Sequence, residues 1–177
     1  MKKIGFFILL STVISFSNNK NNETTSKYHV DSFLLSDAKQ NIYKIVIDRK
    51  NVSIYNRAEP TILINLFTSL SVSCQEEAIY IQDLHKKYRD KVFVVGLLLQ
   101  NKNYEDLKQF TKKSTADYFI SNNKQNDELA KKLVKSLGIS KNFSLPLTIL
   151  YKNGKYHRHY EGTVPIEMIE YDIKSKD

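Results

Sequence analysis

The chain has one cysteine, Cys74, among 177 residues. A single thiol excludes an internal disulfide, so the fold must rest on its core alone. No apolar run reaches the ~20 residues that a membrane-spanning helix requires. No internal repeat is visible, and no block of like charge stands out. Lys and Arg alternate with Asp and Glu along the helical stretches, so the formal charge of +8 describes a solvated surface rather than a nucleic-acid footprint.

The N-terminus sets the compartment. Lys2 and Lys3 precede a thirteen-residue apolar run, Ile4 to Phe16, and Ser15 and Ser17 supply small residues before a cleavage point after Ser17. Residues 1–17 therefore read as a secretory signal, and the protein as periplasmic or secreted. The alternative is attachment to the membrane through an uncleaved N-terminus. A lipoprotein would need a cysteine directly after the run, where Ser17 and Asn18 stand. Residues 18–29 are polar and too poor in large apolar groups to join a core, and read as a flexible linker. Residues 30–177 are enough for one domain. Loss of Lys2 and Lys3 with the leader lowers the charge by two.

Hydrophobic period gives the elements. Ser32–Leu35, Ile42–Ile47 and Val52–Tyr55 are short β-prone pieces, an N-terminal hairpin extension. Ile62–Phe67 and Val92–Leu99 are nearly continuous apolar runs, the pattern of parallel strands covered on both faces. Between them, Ser73 to about Arg89 forms a helix with Cys74, Ala78, Ile81, Leu84 and Tyr88 on its inner face. Helices follow at Tyr104–Lys113 and Asp127–Leu137, the second stopped by Gly138, with a short strand Tyr118–Ile120 between them. Leu147–Tyr151 and Lys155–Tyr160 flank Asn153-Gly154, a type I′ hairpin signal. Thr163, as N-cap, and Pro165 open a last helix ending near Lys174. The expected class is α/β: three layers, a central mixed sheet with helices on both faces.

Cys74 sits where a strand passes into a helix, and the positive end of a helix dipole favours thiolate. The order of elements resembles thioredoxin, and within that fold the TlpA/ResA-like branch of exported thiol-disulfide oxidoreductases. The matching stretches are Asn65-Leu66-Phe67-Thr68-Ser69-Leu70 followed by Ser71-Val72-Ser73-Cys74 and Glu77, then the stretch from Lys87 through Leu97, Leu145-Pro146 before a hairpin strand, and Tyr160 to Lys174. The resemblance implies that Cys74 corresponds to the resolving thiol, Ser71 to the attacking cysteine, and Glu77 to an acid that moves protons beneath the dithiol. It implies that Leu145 and Pro146 border a groove for extended substrate, Pro146 at the position of a cis-proline. It implies no cofactor, and as partners protein thiols, disulfides or extended polypeptide segments in the cell envelope.

The departures bear on mechanism. In the family reaction a first thiolate attacks a disulfide and a second thiol resolves the mixed disulfide. A serine hydroxyl is too weak an acid for the first step, and no His base is adjacent in sequence. The intervening prolines and both tryptophans of the family motif are missing, with Phe67 and Leu70 at the tryptophan positions, and Ile79 stands where a helix-kinking proline is usual.

The surviving residues also have structural roles open to them. Ser71, or Ser73 with Glu76 as a capping box, can cap the helix. Cys74 can be a small buried hydrophobe, and Glu77 a first-turn acid. His157 and His159, two apart on a strand, would share a face as half of a metal site, but no third ligand is evident and no metal is assigned. Two functions fit: a binding module that holds extended polypeptide near Ser71, Leu145 and Pro146, or a monothiol exchange enzyme acting through Cys74.

Overall fold

A computed structural model describes residues 30–68, 71–100 and 104–175, with Tyr104 described by its backbone alone. The secretory signal and the linker lie outside the described residues. Twelve elements follow in chain order: β1 (Val30–Ser36), β2 (Ile42–Asp48), β3 (Asn51–Ile54), β4 (Thr61–Phe67), α1 (Val72–Lys87), β5 (Val92–Leu98), α2 (Tyr104–Ser114), β6 (Phe119–Ser121), α3 (Asn126–Leu137), β7 (Leu147–Lys152), β8 (Lys155–Glu161) and α4 (Ile166–Lys174). The strands form one mixed sheet in the order β1-β2-β3-β8-β7-β4-β5-β6. β4 runs parallel to β5 and antiparallel to β7, so the βαβ unit and the hairpin read from sequence share the central strand.

Burial follows composition. Every residue of β4, β5 and β7 is buried, because helices or other strands cover both faces. β1, β2 and β3 alternate towards their inner ends, with Phe33, Leu35, Ile45, Ile47, Val52 and Ile54 turned inward. One core, against α1, α2 and α4, includes Leu63, Phe67, Cys74, Ala78, Ile81, Phe110 and Ile169. The Phe67 and Phe110 rings stack there at 4.5 Å. The other core lies against α3 and includes the inner side chains of β1–β3.

The N-terminal extension is a three-stranded meander that folds over the sheet. It joins β8 at a single pair, Asn51 with Lys155, and from there curls across the α3 face. Tyr43 of β2 meets the rings of Phe93 and Phe119 at 5.1 and 4.9 Å. At the far end Asp37 bridges to Ser121, and the Asn122 amide donates to Ser36 O at 3.2 Å, so β1 reaches β6. The sheet is thereby almost closed on itself.

Turn chemistry explains the boundaries. Asn153 and Gly154 both have positive φ, 50° and 77°, as a type I′ turn demands. Gly138 ends α3 in the left-handed region at φ 72°. Three local expectations fail. Of the two caps read for α1, Ser71 is the one used and the helix starts at Val72, so it is the Ser73–Glu76 capping box that does not form. Pro165 immediately precedes α4 in extended conformation (ψ 127°), leaving Thr163 upstream of the cap; its hydroxyl donates instead to Ser73 O at 3.4 Å. The third is the histidine pair. Pairing passes from Leu150–Arg158 to Tyr151–Tyr156, so His157 is an extra, bulged residue. The bulge breaks the alternation: His157 Nε2 lies 3.7 Å from Asp172 of α4, while His159 Nδ1 shares a 2.7 Å hydrogen bond with Tyr156 and its Nε2 lies 3.7 Å from Glu161. Among the described residues no group of three His, Cys, Asp or Glu is placed to hold a metal.

Candidate functional site

The site is built where β4 gives way to α1. Ser71, in extended conformation, holds the helix start: its hydroxyl accepts the Cys74 amide at 3.4 Å and shares a 2.8 Å hydrogen bond with the Ser73 hydroxyl. The Ser71 oxygen is thus engaged by the Cys74 amide and the Ser73 hydroxyl. Cys74 begins the inner stripe of α1 and is only 1% exposed, packed in one core with Phe67, Ala78 and Ile81. Leu145 packs against the same core, half-buried.

Glu77, one turn beyond Cys74 on the same face, is also 1% exposed. A first-turn surface acid would point to solvent; this one points at the sheet. Its Oε1 accepts from the Thr148 hydroxyl and from Asn65 Nδ2, the latter at 3.1 Å. Asn65 also donates to Thr148 Oγ1 at 2.8 Å, across the β4–β7 pair in which the two residues stand opposite each other. Among the described residues the remaining oxygen, Oε2, has no partner, and neither does the nearby hydroxyl of Tyr118. Burial pushes the Glu77 carboxyl up to about 7, only partly offset by the Thr148 hydrogen bond. Burial first, then the proximity of Glu77 and Cys74, raises the Tyr118 hydroxyl.

A carboxyl of this kind is half-protonated near neutrality and can hold or release a proton there. The one thiol of the chain, Cys74, lies on the same helix face and is buried with it. Asn65 and Thr148 were not singled out as site residues from the sequence. Their signal was there: each is a polar residue flanked by apolar ones inside a fully buried strand, where a polar group needs a partner.

The loop before β7 completes the site. The Leu145–Pro146 peptide bond is cis, and Pro146 is buried. Pro146 O accepts the Gly162 amide at 2.8 Å, and the next residue, Thr163, donates to Ser73 O. The 162–163 turn therefore ties the Pro146 loop to the first turn of α1. The backbone N–H and C=O of Leu145 make no hydrogen bond among the described residues. Sequence-predicted Ser71, Cys74, Glu77, Leu145 and Pro146 are thus gathered at one end of the sheet.

No family model matches the chain, and no curated protein matches it in sequence. Solved structures do match in shape. StoA from Bacillus subtilis superposes with a TM-score of 0.57 at 17% identity, over 81% of this chain and 97% of its own. The thioredoxin domain of a thiol-disulfide oxidoreductase from Bacteroides vulgatus gives 0.54 at 16% identity, over 81% and 94%. A secreted disulfide oxidoreductase of Mycobacterium tuberculosis gives 0.54 at 10% identity, over 80% and 93%. The fold is thioredoxin-like. In this thioredoxin-like chain the helix that carries Cys74, the sheet row of Asn65 and Thr148, and the Pro146 loop converge at the C-terminal end of β4, outside which α/β folds commonly place their sites.

Proposed function

We propose that this chain is an exported protein descended from the TlpA/ResA-like thiol-disulfide oxidoreductases, in which Ser71 has replaced the attacking cysteine. It works as a non-cycling module that holds an extended polypeptide against the unpaired backbone of Leu145. The observation that carries this reading is the state of Cys74: the single thiol is buried beneath a helix start whose cap is the Ser71 hydroxyl. Dithiol exchange needs an exposed thiolate and a resolving partner. Here the position of the first is a capping hydroxyl, and the second faces the core. Binding asks for less, since main-chain groups left free beside apolar side chains suffice to pair with an extended segment. The signal read in residues 1–17 places the partner in the cell envelope or outside the cell.

Two measurements on the intact chain test this. Alkylation of native Cys74, followed by mass, is expected to proceed only after denaturation. Rapid labelling near neutral pH would instead favour the alternative, monothiol exchange through Cys74 with a second thiol completing the cycle. The second is fluorescence anisotropy with a labelled, carboxymethylated extended peptide, which is expected to show saturable binding that Leu145→Glu abolishes. Absence of binding in the folded wild type would refute the module.

A further inference from the structure

On the face opposite α1, a cleft of about 780 Å³ opens beside α3. Its volume falls within the ~300–1,000 Å³ usual for small-molecule sites. The floor is apolar: Leu99 at the end of β5, Ala130 and Val134 of α3, and Ile139 and Phe143 of the loop that follows. The rim is basic. Lys131 and Lys135 stand one turn apart on α3, and Lys141 comes from the loop beyond Gly138. Gly138 turns the chain sharply there, and the space around its absent Cβ is empty to 4 Å.

All three lysines are exposed, and none has a carboxylate partner among the described residues. Lys135 complements the C-terminal dipole of α3, which accounts for one charge. Lys131 and Lys141 have no such role. The only acid lining the cleft, Asp127, is already engaged, its Oδ1 accepting the Gln100 amide at 3.3 Å. The cleft therefore presents three ammoniums against one carboxylate, above a floor that gains by excluding water. None of the described residues lining it belongs to a strand, so they offer an extended peptide no ladder to join.

We propose that this cleft binds a small amphiphile with an apolar body and a single anionic head. The body covers Val134, Ile139 and Phe143, and the head lies among Lys131, Lys135 and Lys141. The site is separate from the Cys74 end, but Phe143 belongs to the same loop as Leu145 and Pro146, so occupancy would touch the loop that serves the proposed polypeptide site.

The test is titration of the full chain with dodecanoate and with dodecyl phosphate, read by backbone amide shifts, with dodecanol as the uncharged control. Expected is saturable binding of at least one of the two anions, with shifts centred on Ala130, Val134, Ile139 and Phe143. Affinity should be at least about tenfold above that of dodecanol. A triple variant, Lys131→Gln with Lys135→Gln and Lys141→Gln, carries only surface changes and is expected to lose about tenfold for the anions while leaving dodecanol unchanged. The proposal is overturned if neither anion saturates at roughly millimolar concentration. Equal affinity for dodecanol, an unaltered triple variant, or shifts centred elsewhere would overturn it as well.

Discussion

Glu77 accepts the hydroxyl hydrogen of Thr148, a residue 71 positions further along the chain, inside a closed core. The bond joins α1 to β7 through the polar pair Asn65–Thr148 of the sheet, and the second carboxyl oxygen has no partner among the described residues. The group is therefore both anchored and hard to ionise.

The first prediction is a pH dependence of stability. The Glu77 carboxyl is raised from 4.5 to about 7. Between these values the folded state binds more protons than the unfolded state, so stability falls as pH rises. The contribution is full below about pH 4.5 and gone above about pH 7, and a shift of this size corresponds to roughly 3 kcal/mol. Urea midpoints measured across this window should fall with pH in the wild type, and Glu77→Gln should flatten the slope. An unchanged slope in the variant would assign the proton elsewhere.

Thr148→Val keeps the shape and removes the donor. It is expected to cost about 1–3 kcal/mol, because the Asn65 amide loses one of its two acceptors and Glu77 one of its two donors, leaving only the bond between them. The same change should raise the Glu77 titration further, since the Thr148 hydrogen bond is what holds it down. The carboxyl carbon shift of Glu77, followed by NMR against pH, reads this directly.

Gly96 stands in register with Asn65 on the neighbouring strand. A Cβ there would meet Ile120 Cγ1 at 3.1 Å, and Phe67 Cε1 and Tyr118 Cε2 each at 3.2 Å. Three packed side chains would have to yield at once, so Gly96→Ala is expected to destabilise by about 1–3 kcal/mol. Thermal unfolding of the variant is the check.

Ser71→Cys would restore a second thiol at the helix start. With Glu77 still beneath Cys74, this variant is expected to show dithiothreitol-driven disulfide reduction above the wild-type background, where none is expected. Ser71→Ala, by contrast, loses only the cap, at a cost of about 1 kcal/mol. A silent Ser71→Cys variant would mean that the helix start no longer presents residue 71 to a substrate.

The layout was legible wherever one strand or helix carried its own instruction. The nearly continuous apolar runs of β4 and β5 announced burial on both faces, Asn153-Gly154 announced its turn, and Gly138 its helix end. What could not be read depended on distant pairing. Nothing local in β1 says that Asp37 meets Ser121, and nothing in Tyr156-His157-Arg158 says which residue the ladder will skip. The same holds at the site. Glu77 was visible, but its partners came from β4 and β7, and only the sheet register puts Asn65 opposite Thr148.

The bridge from Asp37 to Ser121 has a consequence for the order of assembly. Phe33, Leu35, Ile45 and Ile47 are made early, yet part of the core they join comes much later, on α3 and β7. β4, β5 and β6 supply part of the cover earlier, but until α3 and β7 are made that core is incomplete. Pairings of such sequence separation are slow to form and prone to aggregation on the way. The seam that closes the sheet thus ties the final burial of the N-terminal strands to residues made 84 positions later, since Asp37 waits for Ser121.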